Sequence, residues 1–164
     1  MNFSEMQLIQ KRKQAFEDYF LAVKKLRDLN IIVNKKDFTS QLGEWLISEM
    51  YGATIATNGK QKDWDMKFEE KHIQVKSHSK AKTTTRSNTD FKYADNACID
   101  LFVIVIFDED YKLKNIYEIP WNIALELKTK NTKDPVIKWN EIPENCKINF
   151  REKLKNNELL SSFL

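Results

Sequence analysis

The chain has 164 residues, 41% of them apolar and 31% charged, with a net charge of only +3 and a pI near 8.7. That balance fits a soluble globular protein long enough for one core; it excludes a disordered chain and a polycation that coats nucleic acid over its whole surface. Only three glycines are present, none spaced for a phosphate-cradling loop, and Cys98 and Cys146 are too few for a disulfide framework or a cysteine zinc site. Two reduced thiols, no signal-peptide pattern and no apolar run near the ~18 residues of a membrane span lead to the expectation of a cytoplasmic protein that avoids membranes. Residues 1–164 are expected to form one domain, without repeats or linkers.

Ser4, with Gln7 three residues on, reads as a capping box for a long helix reaching about Asn30. Phe16, Tyr19, Phe20, Val23 and Leu26 recur in it at helical spacing, the mark of a core or dimer element, while Lys11, Arg12, Lys13, Lys24 and Lys25 form a solvated face. Asp37, Thr39 and Ser40 are alternative caps for a second helix carrying Leu42, Trp45, Leu46 and Met50, and Gly52 suits its end. Ala53 to Thr57 reads as a strand and Asn58-Gly59 as a turn.

Next comes the most informative stretch. Trp64, Met66 and Phe68 alternate with Asp65 and Lys67, the period of a half-buried strand. Glu69-Glu70-Lys71 is a charged turn. Ile73 and Val75 define a second strand with His72, Gln74 and Lys76 on its other face. Paired as a hairpin, the two strands bring Asp65 towards Gln74 and Lys76. A carboxylate beside a neutral oxygen donor can hold a hard divalent cation, and a neighbouring ammonium can orient water.

Ser77 to Asp90 has no hydrophobic periodicity and is expected to be an exposed loop or arm whose Lys80, Lys82 and Arg86 sit among hydroxyl and amide side chains suited to phosphates and base edges. Asp100 to Phe107 is a central strand buried on both faces, followed by the acidic turn Asp108-Glu109-Asp110 and a strand from Leu113 to Ile119. Pro120 begins a helix with Trp121, Ala124, Leu125 and Leu127; Val136 to Trp139 reads as an edge strand, and Phe150 to Leu164 as a terminal helix. The order predicts an α/β or α+β fold, a mixed sheet flanked by helices.

A helical Glu44 after Gly43, then Trp64-Asp65, then Gln74-Val75-Lys76 and a basic loop resembles the PD-(D/E)XK nuclease superfamily, in its (E/Q)xK variant, from about Leu42 to Phe107. The resemblance implies a restriction-endonuclease-like fold and a Mg²⁺-dependent endonuclease (Mn²⁺ a possible substitute) acting on double-stranded DNA. A small type II restriction enzyme working as a homodimer fits best; a structure-specific nuclease of Holliday-junction-resolvase or repair type, or a catalytically silent DNA-binding module, are the alternatives. It further implies that Asp65, the Gln74 side-chain oxygen and the Val75 carbonyl bind the metal, that Glu44 holds a metal-bound water or a second ion, and that Lys76 positions the attacking water. Ser77, His78, Lys80, Lys82, Arg86 and Asn88 would face the DNA. Gln74 stands where most members carry an acid, which leaves one negative charge fewer for the metal. Asp63 rivals Asp65, which is preferred because it falls in phase with Gln74.

Overall fold

The computed structural model describes residues 3–33, 37–56, 63–80 and 83–164. Among them form α1 (Phe3–Asp28), α2 (Phe38–Tyr51), β1 (Thr54–Ile55), β2 (Met66–Phe68), β3 (Lys71–Lys80), β4 (Asn88–Asp90), β5 (Leu101–Asp108), β6 (Leu113–Pro120), α3 (Trp121–Leu127), β7 (Val136–Lys138) and α4 (Phe150–Leu154). Five strands make one mixed sheet in the order β1-β2-β3-β5-β6, in which β3 and β5 run parallel and every other pair antiparallel. β4 and β7 form a separate antiparallel ribbon. The expected mixed sheet with flanking helices is therefore present. None of the described helices is long and apolar enough to cross a membrane.

β5 is the spine of the sheet. Its unbroken apolar run predicts burial on both faces, and residues 102–107 are all buried. Val103, Val105 and Phe107 join Leu42, Leu46 and Ile47 of α2 and Phe150 and Leu154 of α4. Phe102, Ile104 and Ile106 form the opposite layer with Phe91, Ala124 of α3 and Ile137 of β7. The parallel register sets Gln74 beside Phe102, Lys76 beside Ile104 and His78 beside Ile106. The even residues of β3 therefore share the second layer's face, and Ile73 and Val75 lie in the α2 layer with Val103 and Val105.

Of the three candidate caps of α2, the structure uses Asp37, whose carboxylate accepts from the N–H groups of Thr39 at 3.1 Å and Ser40 at 3.0 Å. The helix ends at Gly52, whose φ of 66° is the left-handed conformation that glycine adopts without strain. Gly43 has a different task. A Cβ built on it would stand 1.7 Å from Ser77 Oγ and 2.7 Å from Ser77 Cβ, so α2 lies closer to β3 than any side chain at this position would allow.

Four expectations need correction. Ser77 to Asp90 is not one exposed arm: β3 continues through Lys80, β4 covers Asn88–Asp90, and Thr89 is fully buried. Backbone pairing with β5 organises Ser77–Lys80, and Ser79 Oγ donates to the Asp108 carbonyl at 3.1 Å, so a core strand needs no apolar side chains here. The terminal helix stops at Leu154; Asn157 Oδ1 accepts the Leu160 N–H at 2.9 Å and starts a 3₁₀ turn, Leu160–Phe163. α1 already includes Phe3, which places Ser4 inside the helix instead of ahead of it. Finally, of the two roles expected for the α1 stripe, core or dimer element, the core one does not hold. Phe16, Tyr19 and Phe20 remain 62%, 61% and 63% exposed. Thr57, the Asn58-Gly59 turn and Lys82 lie outside the described residues.

Candidate active site

The hairpin predicted around Asp65 is formed. Glu69 adopts φ 52° in a tight turn, and β2 and β3 pair with Met66 opposite Ile73, Lys67 opposite His72 and Phe68 opposite Lys71. Extending that register by one residue carries Asp65 to the level of Gln74. Its backbone is held on both sides: the Asp65 N–H donates to the Ile73 carbonyl at 2.9 Å, and its carbonyl accepts from the Ala56 N–H at 2.8 Å. The Asp65 carboxylate accepts the Val75 N–H at 2.9 Å and a hydrogen bond from the Gln74 amide nitrogen. The same nitrogen donates to the Val75 carbonyl at 3.1 Å. Gln74 is only 5% exposed, so these bonds compensate a buried polar group that would otherwise be costly.

Lys76 follows on the same face, with Nζ 5.5 Å from the centroid of the Tyr93 ring. Burial, reinforced by the negative charges of Asp65, Asp63 and Glu44, holds the Tyr93 phenol well above its ordinary pKa. One half-buried ring thus has an ammonium over its face and three carboxylates within electrostatic reach. Glu44 comes from α2, Asp65 and Lys76 from the hairpin, and Tyr93 from the segment ahead of β5. The chain matches no known protein-family model and no curated protein.

The atoms of the site fit a hard cation in kind. Asp65, Gln74, the Val75 carbonyl and Glu44 offer oxygen donors, the set that Mg²⁺ prefers. Among the described residues no three His, Cys, Asp or Glu side chains gather as a metal cage, so an ion here would lean on Asp65 and neutral oxygens. The Gln74 amide would have to present Oε1 where Nε2 now contacts Asp65 and the Val75 carbonyl. Two acceptors facing a third oxygen are repulsive unless a cation sits among them.

Asp63, the rival of Asp65, turns elsewhere: its carboxylate accepts the Cys98 N–H at 3.5 Å. His72 stacks on Trp64 at 4.7 Å between ring centroids, its Nδ1 is 3.2 Å from Cys98 Sγ, and its backbone N–H donates to the Asp100 carboxylate at 2.8 Å. These contacts tie the start of β5 to β3. In the acidic turn, Asp108 Oδ1 accepts the N–H groups of Asp110 and Lys112, each at 2.9 Å, as a turn-forming residue does.

The residues expected to meet DNA divide. Ser77 sits against Gly43, and its Oγ finds no hydrogen-bond partner among the described residues. His78 Nε2 lies 2.9 Å from Thr89 Oγ1; burial first, then the positive charge of Arg86, lowers its pKa to about 4. Lys80 lies over the Trp139 ring at 5.6 Å, while Arg86 pairs with Asp90 at 3.1 Å and donates to the Asn88 carbonyl at 2.9 Å. Sequence reasoning missed Tyr93, Thr89 and Trp139. The alternation Phe91-Lys92-Tyr93 was the available signal for the first; the other two are placed by the ribbon of β4 and β7, whose pairing is not local.

Proposed function

We propose that the protein is a Mg²⁺-dependent endonuclease that hydrolyses phosphodiester bonds of double-stranded DNA, with a restriction-endonuclease-like fold of the PD-(D/E)XK type. The observation that carries this reading is the joining of Asp65, Gln74 and Val75 by hydrogen bonds beside Lys76, with Glu44 near enough to act on the same tyrosine. The sheet lends further support, because the helix with Glu44, the hairpin with Asp65 and Lys76, and the buried strand after Asp100 all meet in one layered unit.

Asp65, the Gln74 Oε1 and the Val75 carbonyl would hold the ion, and Glu44 a metal-bound water or a second ion. Bound Mg²⁺ lowers the pKa of water and shields phosphate charge. Lys76 orients the attacking water and stabilises the charge that develops on the phosphate. The Tyr93 ring restricts where the long Lys76 side chain can go. Cleavage of both strands calls for two such sites, hence a homodimer, and its two-fold axis would match a palindromic site. A small type II restriction enzyme is the best fit.

Incubating the protein with plasmid and phage DNA in Mg²⁺, then sequencing the fragment ends, tests the reading. Cuts at discrete sites support the restriction enzyme. Cleavage confined to branched DNA selects a structure-specific nuclease, and binding without cleavage in Mg²⁺ or Mn²⁺ selects a silent module. Asp65→Ala should abolish cleavage and keep DNA binding; full activity in that variant would refute the site.

A further inference from the structure

The far half of β3 opens onto a cleft that the proposed cleavage chemistry does not use. It has a volume of about 230 Å³ and lies between His78 and Lys80, the start of α2 at Asp37 and Thr39, Arg86, and the indole of Trp139. One wall is fixed from behind. Trp139 Nε1 donates to Thr89 Oγ1 at 2.8 Å, and the fully buried Thr89 stands 2.9 Å from His78 Nε2. An indole N–H can only donate, so Thr89 accepts it, and the same hydroxyl is hydrogen-bonded to His78. The chain of bonds anchors the indole while its ring borders the cleft.

Lys80 brings positive charge to the cleft, and Arg86 adds a guanidinium whose charge is shared with Asp90. Lys80 Nζ lies 5.6 Å from the Trp139 ring centroid, and Arg86 is oriented by Asp90 at 3.1 Å and by the Asn88 carbonyl at 2.9 Å. Asp37 is the carboxylate in the described lining, and it already accepts from Thr39 N, Ser40 N and Ser40 Oγ in capping α2. A rigid aromatic wall rimmed by two cations and several hydroxyls is the chemistry that stacks a base and meets its phosphates. The volume is below the roughly 300–1,000 Å³ of pockets for drug-sized ligands, which suits one planar base. Lys76 and Lys80 share a face of β3 and stand ~13 Å apart along it, about four nucleotides of a stacked strand.

We propose that this cleft is a nucleotide subsite of the bound strand: an unstacked base within about four nucleotides of the phosphate at Lys76 stacks on Trp139, while Lys80 and Arg86 meet the adjoining phosphates. The proposal rests on the DNA-cleavage reading for the identity of the strand, and its test is read without cleavage. The probe is a fluorescein-labelled single-stranded DNA oligonucleotide, bound by the full chain in EDTA and followed by anisotropy. Trp139→Ala should weaken binding about tenfold, Trp139→Phe should retain most of it, and Lys80→Ala should lower both affinity and its salt dependence. An abasic residue moved along the oligonucleotide should erase the Trp139→Ala difference at one position and leave it intact elsewhere.

Equal affinity of wild type and a folded Trp139→Ala overturns the proposal. Should that variant fail to fold, an unchanged affinity and salt slope in Lys80→Ala overturns it instead. Equal binding of free deoxynucleoside monophosphate, or a matching Trp139 effect on polyglutamate, reassigns the cleft to a small ligand or an acidic peptide and also overturns it. Absence of cleavage in Mg²⁺ with the abasic effect retained removes the nuclease reading and leaves the subsite; cleavage with no Trp139 effect does the reverse.

Discussion

Replacing Gly43 with alanine sets two effects of known size against each other. Inside a helix, Gly→Ala is favourable by up to ~1 kcal/mol, because the unfolded chain loses freedom and propensity improves. At Gly43, however, the new methyl would stand 1.7 Å from Ser77 Oγ and 2.7 Å from Ser77 Cβ. Rotation of the hydroxyl can relieve the first clash, but the second involves an atom fixed to β3, about 1 Å short of a comfortable carbon–carbon contact. α2 would have to lift away, loosening Leu42, Leu46 and Ile47, all buried against the sheet. Overpacking of this kind costs about 1–3 kcal/mol, so the clash wins and Gly43→Ala should be destabilised by about 1–2 kcal/mol. The assay is urea denaturation of four proteins: wild type, Gly43→Ala, Ser77→Gly and the double variant. Ser77→Gly removes both clashing atoms, so the cycle should return a favourable coupling of at least about 1 kcal/mol. A Gly43→Ala protein more stable than wild type, or a coupling near zero, would refute the close approach of α2 to β3 and with it the delivery of Glu44 to the site.

Gln74→Glu should place a second carboxylate against Asp65 in a buried site; in metal-free buffer the loss should be about 2–3 kcal/mol, and Mg²⁺ should raise its melting temperature more than that of wild type. A melting temperature indifferent to Mg²⁺ and Mn²⁺ would remove Gln74 from the metal shell. His78 has a pKa of about 4 against its ordinary 6.5, so between these values the unfolded chain binds a proton that the native one does not. Stability from this group is complete above the upper value and falls as the pH drops towards the lower, by up to about 2 kcal/mol at pH 5 relative to pH 8. His78→Asn should lose that part of the pH dependence in urea melts; a parallel decline in both proteins would contradict it. Tyr93→Leu should slow single-turnover cleavage about three- to tenfold through loss of the ring that restrains Lys76, whereas Tyr93→Phe should stay near wild type. Equal losses in both would assign the role to the hydroxyl.

The parts of the fold visible in the sequence were those written in local periodicity. The alternation from Trp64 to Phe68 and from His72 to Lys76 was enough to bring Asp65 to Gln74, and the run ending at Phe107 was enough to place β5 in the middle of the sheet. The alternation also favoured Asp65 over Asp63, and only Asp65 touches Gln74. What stayed hidden depends on partners distant in the chain. Ser77–Lys80 looks like a loop because its place in β3 comes from backbone bonds to β5 and from a serine fitted to a glycine on α2. Tyr93 and Trp139 carry no motif; their importance comes from Lys76 and Lys80 lying over their rings. The stripe on α1 was legible as a pattern, but a pattern does not say whether its own chain will cover it.

The two neighbours of β3 differ in how far the chain must travel to reach them. Its antiparallel partner β2 is joined by a tight turn at Glu69, but its parallel partner β5 becomes available only after the whole stretch between Lys80 and Leu101 has looped back. Hairpins close in about 1–10 μs, while parallel pairings wait on a longer closure and are slow. The junction of Asp65, Gln74 and Val75 can therefore be in place while Lys76 has no Tyr93 to rest on and Glu44 has no packed helix to deliver it. Refolding monitored at Tyr93 and at the hairpin should be separable in time, with the contact between Lys76 and the Tyr93 ring arriving at the later step.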